Sequence, residues 1–192
     1  MTETFLKTQL NALTPYYPER EAIQILRLLL EDGLGLRWHA RWEQELSASD
    51  QQYLATAVAE LQQGKPIQYL TGKAHFYAYT FAVTPAVLIP RPETEELVLQ
   101  ALRLGQLIDR PDPMVLDVGT GSGCIALSLK KERAQWQITA LDYSSAALAV
   151  ARQNARQLHA EVDFRQMDFT DQQQWSGLEQ YDLLLSNPPY IP

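Results

Sequence analysis

A chain of 192 residues has room for one large domain or two small ones and for a real hydrophobic core. Hydrophobic residues make up 46% and charged residues 20%, which marks a globular rather than a disordered chain. The net charge of −7 counts against a protein that grips nucleic acid through its phosphates. A single cysteine, Cys124, leaves no internal disulfide and fits a reducing compartment. The start lacks the pattern of a secretory signal, and no run approaches the ~18 apolar residues of a membrane span, so a cytoplasmic protein is expected.

Residues 1–72 read as helices forming a small bundle. Ala22, Ile23, Ile25, Leu26, Leu28, Leu29 and Leu30 make a dense apolar stretch that is expected to stop at Gly33, a residue suited to a helix C-terminus. Asp50 is expected to cap the next helix, which carries Tyr53, Leu54, Ala57, Val58 and Leu61 on one stripe and ends at Gly64-Lys65-Pro66. Residues 73–92 read as a β-hairpin linker, because residues 75–89 are rich in aromatic and β-branched side chains. A helix is expected from about Glu93 to Gly105, with acidic residues in its first turn. Strands are then expected over residues 114–118, 137–141, 162–166 and 181–186, and helices over 122–131 and 144–158. Gln172-Gln173-Gln174 reads as a solvated turn. Alternating strands and helices with short connections imply an α/β fold with a parallel sheet over residues 93–192.

The first of these strands runs straight into Gly119-Thr120-Gly121-Ser122-Gly123 and then a helix. Glycines permit a sharp turn and close approach to a ligand, and the helix N-terminus is expected to offer free N–H groups. In open α/β sheets such loops lie at the carboxyl ends of the strands, where ligands bind. A phosphate loop would need Lys-Ser/Thr after the last glycine, and Cys124 stands there. Cys124 also spoils the dinucleotide fingerprint. The spacing of Asp117, Gly119, Gly121 and Gly123 instead resembles motif I of the class I methyltransferases. Asp142 at the end of the second strand is placed to accept both hydroxyls of a ribose, which indicates a nucleoside without saying which; the plain alternative is a helix cap. Phe169, after the third strand, is an apolar wall for an adenine or simply core.

The fourth strand ends in Asn187-Pro188-Pro189-Tyr190. Two prolines stiffen the turn and remove N–H groups, leaving the Asn187 side-chain oxygen and the Pro188 carbonyl as acceptors. A flat NH2 group carries two donors, which that pair can hold, while Tyr190 can stack on its face. An amide nitrogen is a poor nucleophile, so such a site must work by positioning and by stabilising charge that grows on nitrogen. His39, His75 and His159 show no metal-ligand spacing, and no metal is expected.

Asn-Pro-Pro-Tyr resembles the signature of methyltransferases acting on exocyclic or amide nitrogens. Residues 64–72 (GKPIQYLTG) and 87–95 (VLIPRPETE) resemble one branch of them, the HemK/PrmC release factor glutamine methyltransferases. That resemblance extends over the whole chain. It implies a class I (Rossmann-like) fold, S-adenosylmethionine as methyl donor and the glutamine of the Gly-Gly-Gln motif of class I peptide chain release factors as acceptor, a step in translation termination. It implies that residues 1–72 help dock the release factor and that residues 91–95 lie near the cofactor. It places Gly119, Thr120, Gly121, Ser122, Gly123, Asp142, Phe169 and Asn187 against the cofactor, and Asn187, Pro188, Pro189 and Tyr190 against the glutamine, with Asn187, Pro188 and Tyr190 catalytic.

Two departures stand out. Phe169 replaces a tryptophan common in the family, and the chain stops at Pro192, directly after the motif, so an incomplete sheet is expected. Its last strand would then be an apolar open edge prone to association, and activity would be weak or lost. An adenine-N6 nucleic-acid methyltransferase, a ribosomal-protein glutamine methyltransferase and an inactive cofactor-binding fragment are the competing readings. The first must flip a base and bind phosphates, which the acidic balance disfavours.

Overall fold

The computed structural model describes residues 2–41, 43 and 45–188, which fall into two compact units that divide after Lys73. The first unit is helical: α1 (Thr2–Leu13), α2 (Glu19–Leu28), α3 (Ala48–Gln62) and the short α4 (Ile67–Thr71). In α2, Ala22, Ile25 and Leu26 point inward, and Leu29 and Leu30 continue the stripe at the spacing of one helix face. The helix does not stop there. It widens into a π turn over Leu29–Gly33, and the left-handed residue is Gly35 (φ 69°). Gly33 is therefore no C-cap. A Cβ at that position would collide with the Tyr53 ring of α3, so its role is close packing.

The start of α3 corrects a second expectation. Ser47, not Asp50, is the N-cap. The Asp50 N–H donates to Ser47 Oγ (3.1 Å), and the Ser47 N–H donates back to Asp50 Oδ2 (2.9 Å). This reciprocal capping box satisfies two otherwise orphaned donors. Leu54, Ala57, Val58 and Leu61 then meet Leu6, Leu13 and Leu26 in a core belonging to this unit alone. Tyr17 donates to the Leu61 carbonyl (3.0 Å) and Gln62 to that of Ala12 (2.9 Å), fixing α1 against α3.

The second unit opens on a hairpin, β1 (Lys73–Phe76) and β2 (Tyr79–Ala82), turning at Tyr77 with φ 57°. Strand structure ends before Thr84-Pro85, where proline has no N–H for a ladder. A 3-10 turn at Pro92–Thr94 leads into α5 (Glu95–Gly105). Beyond it, β3 (Met114–Val118), α6 (Cys124–Glu132), β4 (Gln137–Asp142), α7 (Ser145–Leu158), β5 (Asp163–Gln166) and β6 (Leu183–Ser186) alternate. Among the described residues they build a four-stranded parallel sheet in the order β5-β4-β3-β6. The chain is thus α/β, a helical bundle followed by a parallel sheet.

Val98, Val115, Ile125, Leu127, Ile138 and Leu185 contribute to one core beneath the helices. The chain order places β3 centrally and β6 directly beside it, so the loops that follow these two strands leave the same edge. On β6, Leu185 is buried while Leu184 is 57% exposed. No helix among the described residues is long and apolar enough to cross a membrane.

Candidate active site

The site begins with the turn after β3. Gly119, Gly121 and Gly123 all have positive φ, between 55° and 81°, which a side chain would strain. Their surroundings differ. A Cβ on Gly121 would meet open space, whereas one on Gly123 would press on Leu127 and Ala151 at 3.0–3.3 Å. Gly121 leaves its side of the loop open, and Gly123 lets α6 lie close to α7.

The loop spends its amides on the protein itself. The N–H groups of Gly119 and Thr120 both donate to the Leu141 carbonyl (2.9 Å each), and that of Gly123 to the Thr120 carbonyl (2.8 Å). The Gly121 N–H donates to Asp142 Oδ2 at 2.8 Å. Four N–H groups of the loop are therefore taken within the protein, three of them by the end of β4.

Asp142 ends β4. Its Oδ1 accepts the Ser144 N–H (2.9 Å), and Ser144 rather than Asp142 caps α7 by accepting from the Ala147 N–H. Each Asp142 oxygen thus receives one backbone donor. A carboxylate has about four acceptor positions, so the pair retains capacity for the two hydroxyls of a ribose. Asp117, fully buried on β3, accepts the Thr120 hydroxyl on Oδ2 (2.7 Å). Burial pushes its carboxyl up to about 6, opposed in part by the Thr120 bond. No hydrogen bond of good geometry closes on Oδ1, although the Ala126 amide still favours the charged form. Asp142 is thus the carboxylate beside the loop with acceptor capacity to offer a hydroxyl-bearing ligand, while Asp117 serves the loop from within the core. Burial also pushes the Cys124 thiol up to about 12, so it is no nucleophile at neutral pH.

Asn187 stands beside this loop. In the parallel register Val118 pairs with Ser186, and Ser186 Oγ donates to the Val118 carbonyl at 3.0 Å. Gly119 and Asn187 therefore leave the sheet side by side. The Asn187 Nδ2 donates to Oγ1 of Thr94, a buried residue 93 positions earlier (3.0 Å). Pro188 is exposed; Pro189 and Tyr190, also expected here, lie outside the described residues. Phe169 is half-buried after β5. Its ring stacks on Trp175 at 5.0 Å, and the Trp175 indole N–H holds the Phe169 carbonyl (3.0 Å), so it belongs to a surface aromatic pair and not to the core.

Two residues of the site make contacts that the motifs do not show. One is Thr94, which falls in the 91–95 segment that the resemblance sets near the cofactor but with no partner named there. The other is Asn154 on α7, fully buried, whose Nδ2 donates to the carbonyls of Ser122 (2.8 Å) and Ala82 (3.0 Å) while its Oδ1 accepts the Ala82 N–H (2.7 Å). It ties the hairpin to the glycine loop. The sequence holds a signal for it, since a polar residue on the stripe of Ala147 and Ala151 must find partners. The histidines serve local structure: His75 bonds the Thr80 hydroxyl and His159 is the left-handed residue closing α7.

Comparison with known proteins covers both units. The Methyltransferase small domain family matches residues 96–191, and the PrmC N-terminal domain family matches residues 6–72. A release factor glutamine methyltransferase of Koribacter versatilis is 47% identical over 152 residues, which is 78% of this chain and 52% of that protein. One of Bacillus subtilis is 39% identical over 189 residues, 97% of this chain and 65% of that protein. The chain therefore spans only part of the length of these relatives. Among solved structures, a Pyrococcus abyssi tRNA (uracil-54, C5)-methyltransferase shares 16% identity at a TM-score of 0.47, covering 61% of this chain and 27% of that one.

Proposed function

The chain belongs to the HemK/PrmC family of S-adenosylmethionine-dependent methyltransferases, and from that premise we propose that it methylates the side-chain amide nitrogen of glutamine in the Gly-Gly-Gln motif of peptide chain release factors. The observation that carries the reading is the Val118–Ser186 register, which sets the glycine loop and Asn187 side by side at one sheet edge.

S-adenosylmethionine supplies an electrophilic methyl on a positively charged sulfur. Gly119 to Gly123 form the floor beneath that donor. Asp142 accepts its ribose hydroxyls with the capacity left after Gly121 and Ser144, and the Phe169–Trp175 pair flanks the base. Asn187 Oδ1 and the Pro188 carbonyl accept the two N–H groups of the glutamine amide, turning its nitrogen toward the methyl. Transfer of the donor's methyl would build positive charge on nitrogen as the electron pair of the S–C bond goes to sulfur, and one N–H proton would then leave to water to give the neutral secondary amide. The two oxygens then hold that nitrogen more tightly than in the ground state, which is how fixed dipoles accelerate a reaction. Residues 1–72 dock the release factor, and the reaction belongs to the cytoplasm, where release factors work.

Transfer of labelled methyl from the donor, offered unmethylated release factor and duplex DNA side by side, tests the reading. Label is expected in the release factor and absent when its glutamine is replaced; label in DNA alone would refute it. Asn187→Ala is expected to slow transfer by about a hundredfold or more.

A further inference from the structure

We propose that Asn154 is a positioning residue that holds the second half of the glycine loop in its donor-binding shape before the donor arrives. The inference rests on the S-adenosylmethionine site described above and concerns how that site is formed in advance. The two halves of the loop are held from different sides. The N–H groups of Gly119 and Thr120 end on the Leu141 carbonyl and that of Gly121 on Asp142, so β4 fixes residues 119–121. Ser122 is held from α7, where its carbonyl accepts Asn154 Nδ2 at 2.8 Å. It stands between Gly121 and Gly123, with φ of 55° and 81°. Glycine on both sides gives this stretch a wide choice of backbone angles, so it needs an outside restraint to keep one of them.

The direction of that restraint is fixed by its partners. The carbonyls of Ser122 and Ala82 can only accept, and the Ala82 N–H can only donate. Nδ2 therefore faces the two carbonyls (2.8 and 3.0 Å) and Oδ1 faces the N–H (2.7 Å); exchanging the two ends would set oxygen against oxygen. The side chain is fully buried, so water does not stand in for a lost partner. Ala82 is the last residue of β2, and its two bonds brace the amide from the side away from the loop. One turn earlier on α7, Ala151 backs the loop again: a Cβ on Gly123 would lie 3.3 Å from the Ala151 Cβ. The helix thus packs against residue 123 and bonds residue 122. A loop ordered in this way loses less freedom when a ligand arrives, which raises affinity without a new contact to the ligand.

Calorimetry with S-adenosylmethionine tests this, at a temperature where every variant is folded. The variants are Asn154→Ala, Asn154→Asp and a control, Ile138→Ala, which opens the same core near the start of β4, at the other end of the strand from Asp142. Asn154→Ala is expected to raise the donor Kd about tenfold, the effect of losing one hydrogen bond's ordering of the loop, while kcat at saturating donor stays within about twofold. Ile138→Ala should lower the thermal midpoint and leave the donor Kd within about twofold of wild type. Hydrogen exchange should find the Gly123 amide protected in the donor-free wild type, and in Asn154→Ala only once the donor is bound. Asn154→Asp gives a readout of its own. Its carboxylate faces carbonyls and cannot donate, but a protonated carboxyl donates again. The ratio of its Kd to that of wild type at the same pH, which removes the titration of Asp117 common to both, should fall as pH is lowered from about 8 to about 5.5. The same ratio for Asn154→Ala should stay flat. An equal loss of affinity in Ile138→Ala, or a flat ratio for Asn154→Asp, would make Asn154 an ordinary core residue and overturn the proposal. So would an Asn154→Ala protein that binds the donor as tightly as wild type. A wild type that binds no donor would instead refute the cofactor site and this inference with it.

Discussion

Asp117 shows how a single residue can make the site sensitive to pH. Its carboxyl, with an ordinary value of 3.8, is pushed up to about 6 by complete burial. The folded protein thus holds this proton more tightly than the unfolded chain. Its contribution to stability is full below about pH 4 and is lost as pH rises through 6, by about 3 kcal/mol. Chemical denaturation from pH 4 to 7 is expected to show that fall in the wild type, superimposed on other titrations, and to lack it in Asp117→Asn, whatever that variant's absolute stability. Identical pH profiles would remove Asp117 as the cause. The glycines, Asp142 and Asn187 were legible as candidates, and Asp117 as part of their spacing, because each sits at a fixed offset from a strand end, and local spacing is what a sequence displays. Thr94 was legible only within the 91–95 segment, without its partner, and Asn154 was not. Their partners lie 93 and 72 positions away and become neighbours only through the fold.

Between elements, the buried Asn154 amide couples α7, the hairpin and the glycine loop with three hydrogen bonds. Asn154→Ala strands the Ala82 N–H and two carbonyls away from water, which costs about 2–4 kcal/mol. Asn154→Asp is expected to be at least as damaging at neutral pH, since it turns a charged oxygen toward the Ser122 and Ala82 carbonyls. Amide hydrogen exchange should quicken in the hairpin and glycine loop of both variants while the centre of β4 stays protected; uniform quickening would mean that the amide only supports global stability. The elements themselves were largely readable. The boundaries of β3 and the end of α7 follow from where apolar alternation and helical stripes stop. Errors arose where two signals compete within one turn. Ser47 and Asp50 both favour a cap, and only the reciprocal bonds assign Ser47 to the cap and Asp50 to the third helical position. Gly33 looks like a terminator, yet the demand it answers comes from Tyr53 on another helix.

At the scale of the whole molecule, the two units have separate cores: Leu6, Leu13, Leu26 and Leu54 in one, Val98, Val115, Ile125 and Leu185 in the other. Separate cores permit separate loss. If the helical unit docks the release factor and the sheet unit holds the donor, damage to the first should change protein recognition and leave donor binding alone. Leu54 is fully buried among α1, α2 and α3 residues, and Leu54→Ala is expected to destabilise its unit by about 2–5 kcal/mol. At a temperature where that unit is partly melted, the KM for release factor should rise several-fold while the calorimetric Kd for S-adenosylmethionine is unchanged. A short glutamine peptide that bypasses docking should be methylated at the wild-type rate. Should the peptide and the release factor suffer equally, or donor affinity fall in step, the helical unit would be acting through the catalytic unit and not on the partner.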